Sequence, residues 1–568
     1  MKEIDEVKQI LNNIYGDKKG KSAFEKILPI IQSFEKKAGE KKKYFSQEDI
    51  ILITYGDSLN QNGVCPLNTL HQFAVKYFKD IFSTIHILPF FPFSSDDGFS
   101  VIDFSKVDPL LGTWGDINAL GSNFRLMFDY VLNHVSAKSQ WFENYLEEKD
   151  PEKHLAIEAN PAADLSDVTR PRALPLLTEY TKKFGNKVHV WTTFSADQID
   201  LNFKSLDVLE KMISVLLYYV EQGATILRLD AIAYLWKEIG TSCIHLPQTH
   251  MMVKLFRKIL DIVAPSVLIL TETNVPHEEN ISYFGNGRDE AQMVYNFTLP
   301  PLLFYTFVKQ NSNVLLDWAK SLDISSKSNT FFNFTASHDG IGVRPLEGVL
   351  PRSEIATLAE MVMKNEGNVS YKRNPDGTQS PYELNITYID AMEDKRDADK
   401  KNHIKRFLAC QAIQYVLPGV PATYIHSILG SRNWTAGVRQ TKRYRTINRE
   451  KLQIDTLLPQ LKNPGTFRSQ IFYPYLDMIK IRKNQPAFHP KAGFKVLDIN
   501  SKVFGILRFC DDQQVYSLTN ISSEPVTVSL PEKAVPSFLT DLITGERFNT
   551  QLLNLTPYQY VWLSSPVM

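Results

Sequence analysis

The 568-residue chain has little cysteine. Cys65, Cys243, Cys410 and Cys510 stand far apart, and no two have the close spacing of a zinc site or a disulfide framework. There is no excess of charge of either sign, with 63 basic against 63 acidic residues. That gives no support to a nucleic-acid partner, which favours a basic face. No apolar run reaches the roughly 18 residues of a membrane span. The opening Met-Lys-Glu-Ile-Asp-Glu-Val-Lys-Gln-Ile has no apolar core of a secretion signal. There is no internal repeat, no low-complexity segment and no glycine-rich loop of the nucleotide type. The expectation is a soluble, cytoplasmic protein in a reduced compartment, a monomer or homodimer, with neither nucleic acid nor membrane as partner.

What is present is a long alternation. Residues 1–48 carry helical spacing, with Ile4, Val7, Ile10, Leu11 and Ile14 on one face and a second segment from Phe24 to Phe34. They read as a packing extension, and the Lys-rich run Lys36 to Lys43 reads as a solvated linker. Eight short apolar runs follow: Ile50–Tyr55, Thr84–Phe91, Arg125–Val131, Ala224–Asp230, Val267–Glu272, Met293–Phe297, Thr330–Thr335 and Val420–Ile425. Most gaps between them hold a helical pattern, such as Leu206–Val220 and Met251–Val263. Buried-type strands alternating with helices argue for a parallel sheet, and eight such units argue for a closed (β/α)8 TIM barrel over 49–490. Two gaps exceed one helix. Residues 136–203 form an insertion domain after strand three, and 340–416 form a long loop region after strand seven. Both leave from the strand ends where barrel enzymes build their sites. From 491 to 568, short alternating runs predict a C-terminal antiparallel β-domain of sandwich type. The aromatic content of 11% suits a core and also suits rings used as sugar platforms.

The strand ends carry the chemistry. Strand three ends Asp129-Tyr-Val-Leu-Asn-His134, strand four ends Arg228-Leu-Asp230, strand five ends Thr271-Glu272, and strand seven leads to His338-Asp339. A lone acid at a strand end is more often a cap or an ion-pair partner. Three carboxylates converging on one barrel mouth are harder to explain as structure, because close like charges force their pKa values apart. Such an arrangement supplies an ionised nucleophile and a protonated acid at one pH. Two carboxyl groups about 5–5.5 Å apart are what retaining glycosyl transfer requires.

In order and content these motifs, with Gln198-Ile-Asp-Leu-Asn202, resemble glycoside hydrolase family 13, the α-amylase family. The resemblance covers about residues 48 to 568. It implies Asp230 as nucleophile, Glu272 as general acid/base and Asp339 as transition-state stabiliser. Arg228 would orient Asp230, and His134 and His338 would bind glucose hydroxyls. The run Leu88-Pro-Phe-Phe-Pro-Phe-Ser-Ser-Asp-Asp-Gly-Phe99, with His338-Asp-Gly-Ile-Gly342, Leu417-Pro-Gly-Val-Pro421 and Ile447-Asn-Arg449, is similar to the sucrose phosphorylase branch. There Asp96 would grip the sugar 4- and 6-hydroxyls, Phe99 would be an aromatic platform and Arg449 a further glucose ligand. Arg172 and Tyr382 would serve phosphate and the acceptor substrate, since guanidinium and phenol both donate to phosphate oxygens. For Arg172 alone, a surface ion pair is the competing explanation.

Within the branch the stretches Val168–Leu177, Tyr234–Cys243 and Thr271–Pro276 resemble the glucosylglycerate phosphorylases. Sucrose phosphorylases depart near Ser380 and Glu383. The implied activity is a retaining α-glucoside phosphorylase yielding α-glucose 1-phosphate. Sucrose, sucrose 6′-phosphate and glucosylglycerol remain alternative substrates, and a hydrolase on the same site is a rival. A glycerate carboxylate would want a cation, for which Arg432, Arg439 and Arg445 are candidates. No organic cofactor is implied. The family often holds calcium through the Asn of the first motif, here Asn133, but this branch generally does without it, so no metal is expected.

Overall fold

The computed structural model describes residues 2–34, 44–172, 174–323, 328–374, 378–397, 399–531 and 535–565. The eight runs expected to be strands are the eight strands of a closed, all-parallel barrel: β1 (Ile51–Thr54), β2 (Thr84–Ile87), β3 (Arg125–Tyr130), β4 (Ala224–Leu229), β5 (Leu268–Thr271), β6 (Met293–Tyr295), β7 (Thr330–Asn333) and β8 (Val420–Tyr424). Each pairs with the next in sequence, and β8 closes on β1. Their residues are almost all buried on both faces, which is why they read as continuous apolar runs. The strands after which the acids follow stop short of them. Asp230, Glu272 and Asp339 therefore lie just beyond β4, β5 and β7, in the loops at the C-terminal mouth.

The two N-terminal helices, α1 (Lys2–Tyr15) and α2 (Asp17–Ser33), pack against each other with Gly20 directly against Asn12, where a Cβ would come within 2.7 Å of the Asn12 backbone. Their buried stripe, Val7, Leu11, Ala23, Ile27 and Ile31, docks on the outer barrel helices α3 (Leu206–Glu221) and α4 (Pro247–Val263). Polar ties fix the seam: the Tyr15 hydroxyl donates to the Phe203 carbonyl at 2.7 Å, and Lys26 pairs with Asp207 at 2.9 Å. The Lys36 to Lys43 linker falls outside the described residues.

The long gaps are not structureless. The one after β3 contains a hairpin of Leu177–Thr181 with Lys187–Trp191, and a two-stranded ladder of His134–Ser136 with Gln198–Asp200. The one after β7 contains a three-stranded sheet, Ile341–Gly342, Gln379–Asn385 and Asn368–Arg373.

The C-terminal strands β9 (Gly493–Asn500), β10 (Val503–Cys510), β11 (Gln513–Asn520), β12 (Val526–Val528), β13 (Phe538–Asp541), β14 (Arg547–Asn549), β15 (Leu553–Leu555) and β16 (Tyr560–Ser564) make a six-stranded antiparallel sheet, ordered β9-β10-β11-β16-β13-β14, and a β12-β15 ladder. Alternate residues face opposite ways, as strand geometry requires. Phe504, Ile506 and Trp562 join the barrel's core, while Val503, Leu507 and Leu518 pack with Val526, Val528, Leu553 and Leu555 of the ladder. At the barrel junction the buried Arg508 donates to the carbonyls of Val416, at 2.7 Å, and His489, at 2.8 Å. No helix among the described residues is long and apolar enough to cross a membrane.

Candidate active site

The mouth of the barrel holds a cavity lined by Asp230, Glu272 and Asp339, each carried on a different strand end. Arg228, the last but one residue of β4, is buried and organises it. Its Nη1 donates to Asp230 Oδ1 at 2.7 Å and also to Asp129 at the end of β3, and its Nη2 lies 3.9 Å from Glu272 Oε2. Asp129 is held from the other side by His86 Nε2 at 2.7 Å. A guanidinium buried among carboxylates compensates their desolvation, the condition under which buried charge is tolerated. The residue after Asp230, Ala231, takes a left-handed conformation with φ 50°, and its N–H donates to Glu272 Oε2 at 2.9 Å. Backbone strain of this kind concentrates at working sites.

The three carboxyls differ in environment. Burial pushes Glu272 up to about 7. Arg228 opposes the rise from 3.9 Å, and the charges of Asp230 and Asp339 add to it. Burial also raises Asp230, but Arg228 bonds it directly, so a proton shared between the two is better placed on Glu272. Asp339 goes the other way. Burial would raise it, and Arg445 at 2.6 Å, with His338 and Arg449, overcomes that and holds it well below the usual carboxylate range. The site therefore combines one carboxyl poised near neutrality with one kept ionised, the pairing that acid/base chemistry needs.

Of the residues expected from the sequence, Asp96, Phe99, His134, Arg172, Arg228, His338 and Tyr382 line the same cavity. Arg449 stands behind it, donating to the His338 carbonyl at 2.8 Å, pairing with Asp97 and lying 3.7 Å from Asp339. Asp96 and Phe99 sit on a loop in which Asp96, Asp97 and Gly98 all have positive φ, and a Cβ on Gly98 would meet the Pro89 carbonyl at 2.6 Å. That tight turn aims Asp96 into the cavity. Phe99 stacks on the His338 ring, centroids 4.7 Å apart and 7° from parallel, so the expected platform is a ring pair. His134 Nε2 lies 2.7 Å from the Phe99 carbonyl and 3.1 Å from Gln198. Burial lowers His338 to about 3, which keeps that imidazole neutral. Arg172 reaches the cavity from the insertion after β3 and pairs with Asp96 at 3.1 Å, which makes it part of this site and not a surface ion pair. Arg172, with Arg445 and Arg449, overcomes the effect of burial and keeps Asp96 ionised.

The three arginines considered for a carboxylate separate sharply. Arg432 spends its charge on Asp390 and Glu393, and Arg439 lies exposed on the helix Thr435–Thr441, so neither lines the cavity. Arg445 does line it, but bidentate bonds to Glu383, at 3.0 and 2.6 Å, and its contact with Asp339 already occupy its fork. Sequence reasoning passed over His86, a polar residue within the buried strand Thr84–Ile87, and Tyr234 and Asn274, which follow Asp230 and Glu272 by four and two positions and also line the cavity. A polar residue inside an apolar strand, or directly after a strand-end acid, was the available signal.

Asn133 does not fit a calcium ligand here. Its Oδ1 accepts from Lys237 Nζ at 2.7 Å, and Lys237 pairs with Asp200 at 2.6 Å, all three buried. The ammonium already supplies a cation to these oxygens.

Residues 67–371 match the family model described as the alpha-amylase catalytic domain. The chain is 44% identical to the glucosylglycerate phosphorylase of Escherichia coli, over 97% of this chain and 98% of that protein. It is 46% identical to the glucosylglycerate phosphorylase of Allomeiothermus silvanus, over 91% of each. Among solved structures it is similar to sucrose 6F-phosphate phosphorylase from Thermoanaerobacter thermosaccharolyticum, with a TM-score of 0.74 and 26% identity, covering 89% of this chain and 98% of that one.

Proposed function

The chain belongs to the α-amylase family of glycoside hydrolases, and from that premise we propose that it is a retaining α-glucoside phosphorylase, acting on 2-O-α-glucosylglycerate and inorganic phosphate. The observation that carries the reading is the similarity to glucosylglycerate phosphorylases along 97% of the chain, which takes in the loops after β3 and β7 as well as the strand-end acids.

The geometry supports a double displacement. Asp230, oriented and charge-compensated by Arg228 at 2.7 Å, attacks the anomeric carbon from the β face. Glu272, raised to about 7, protonates the departing glycerate oxygen. Asp339, held ionised by Arg445, stabilises the oxocarbenium-like transition state. A β-glucosyl-enzyme results. Phosphate then attacks from the α face and gives its proton to Glu272, which completes the acid–base cycle. Asp96, Phe99, His134, His338 and Arg449 surround the glucose position. Arg172 and Tyr382 provide the phosphate donors, and release of Arg172 from Asp96 frees both groups as the sugar hydroxyls take the carboxylate over. No organic cofactor and no metal enters any step.

The test is the reverse reaction. With α-glucose 1-phosphate and, separately, glycerate, glycerol, fructose and fructose 6-phosphate, glycerate is expected to stimulate phosphate release above all the others. Stimulation by another of them would reassign the acceptor substrate. Release at the rate seen in water alone would make the protein a hydrolase.

A further inference from the structure

A glycerate acceptor brings two groups into the cavity besides its reacting oxygen. That oxygen is on the middle carbon, which also carries a carboxylate and a hydroxymethyl arm. Glu272 must meet the oxygen to protonate it, so both arms come to lie beside Glu272.

Asn274, two residues after Glu272, lines the same cavity. Its Oδ1 is enclosed and has no hydrogen-bond partner, and its Nδ2 donates to no described residue. Buried polar groups are almost always paired, so an open one in a cavity points to a missing ligand. The polar side chains around it are taken. Arg172 pairs with Asp96, Arg445 with Glu383 and Asp339, and Gln198 with Ser195 and His134.

The open amide is also held in place. A Cβ added to Gly342 would lie 2.4 Å from Asn274 Nδ2, 2.8 Å from Oδ1 and 3.0 Å from Cγ. Three amide atoms at similar distances from one point mean that the amide lies with its face on Gly342. Its donor and acceptor edge is turned along that backbone and not into it. Gly342 is itself paired with Glu383 in the three-stranded sheet after β7. Behind Asn274, Thr273 Oγ1 donates to Asn280 Oδ1 at 2.6 Å, and Asn280 Nδ2 donates to the Tyr295 carbonyl, at the end of β6, at 2.7 Å. The segment is thereby braced on the barrel, and a braced donor–acceptor pair is what selective binding needs.

An amide offers N–H donors at one end and an acceptor oxygen at the other. A carboxylate can only accept, and a hydroxymethyl can donate. We propose that Asn274 binds the acceptor substrate by both arms, Nδ2 donating to the glycerate carboxylate and Oδ1 accepting from the 3-hydroxyl. This rests on the phosphorylase reading above and names the group that tells glycerate from its analogues.

The experiment is the reverse reaction with α-glucose 1-phosphate and three acceptors. Glycerol has a second hydroxymethyl in place of the carboxylate, and lactate of matching configuration has a methyl in place of the hydroxymethyl. In Asn274→Ala the ratio of kcat/KM for glycerate over glycerol is expected to fall roughly 10- to 100-fold, the range of a hydrogen bond to a charged group. The ratio for glycerate over lactate is expected to fall about 3- to 10-fold, the range of a neutral one. Asn274→Asp puts a carboxylate where the donor was, so its glycerate-to-glycerol ratio is expected to fall below that of Asn274→Ala. Each ratio is taken within one preparation, so any loss of folded protein cancels. Either ratio unmoved in Asn274→Ala overturns the proposal, as does a glycerate-to-glycerol ratio higher in Asn274→Asp than in Asn274→Ala. If the unmodified protein does not prefer glycerate, the substrate reading fails and this inference with it. A preference that survives in both variants sinks this inference alone.

Discussion

Arg228 bears directly on Asp230 at 2.7 Å and on Glu272 only at 3.9 Å, and that difference decides which acid carries the proton. Burial pushes Glu272 up to about 7. In its proposed role as general acid it would work only when protonated, so kcat/KM for phosphorolysis is expected to fall about tenfold per pH unit above that value. A profile that stays flat to pH 9 would remove Glu272 from the role. Asp230 and Glu272 were legible in the sequence because each stands directly after an apolar run, where a carboxylate is costly unless used, and Asp339 was found through its pairing with His338 a few positions past the seventh run. The partners of the arginines were not. Arg432, Arg439 and Arg445 lie within 14 positions of one another, and only the path of their loops sends one into the cavity, one to Asp390 and one to solvent.

Among elements, the loop after β4 and the ladder after β3 are joined by a buried ammonium group. Lys237 bridges Asn133 and Asp200. Burial lowers its pKa, and the contact with Asp200 opposes that. Lys237→Met would leave Asp200 buried without its cation, a loss of about 3–5 kcal/mol by comparison with other broken buried pairs. The expected result is a clearly lower denaturation midpoint, partly recovered when Asp200→Asn is added. Equal midpoints for the single variant and the unmodified protein would contradict it. The barrel strands were legible because short, mostly apolar runs set between helical patterns have few other uses. The strands Phe538–Asp541, Arg547–Asn549 and Leu553–Leu555 were not. They are three or four residues long, alternate with exposed polar positions, and owe their form to partners elsewhere in the sheet. The hairpin Leu177–Thr181 with Lys187–Trp191 was missed for the same reason, its first strand having no buried residue.

For the whole molecule, the C-terminal β-domain is bound to the barrel at the end opposite the active site. Arg508 caps the Val416 carbonyl, just before β8 begins. Arg508→Leu would strand several buried carbonyls, at about 1–3 kcal/mol for each one left unpaired. The unfolding midpoint should fall while the KM for α-glucose 1-phosphate stays within about twofold. A large change in that KM would mean the two ends of the barrel are coupled. The sequence announced this domain by its change of rhythm near residue 491, but it could not announce which face meets the barrel, because both faces of β10 carry large apolar residues.

The N-terminal helices close on partners far along the chain. Ser33 ends α2, and α3 begins at Leu206, 173 positions later. A ribosome adding roughly 5–20 residues per second takes roughly 9–35 s to cover that distance. During that interval Val7, Leu11, Ile27 and Ile31 have no surface to dock on. A nascent chain of this protein carries a bare amphipathic pair through nearly half of the synthesis of its barrel, a natural foothold for a chaperone that holds early and lets go once α3 and α4 have emerged.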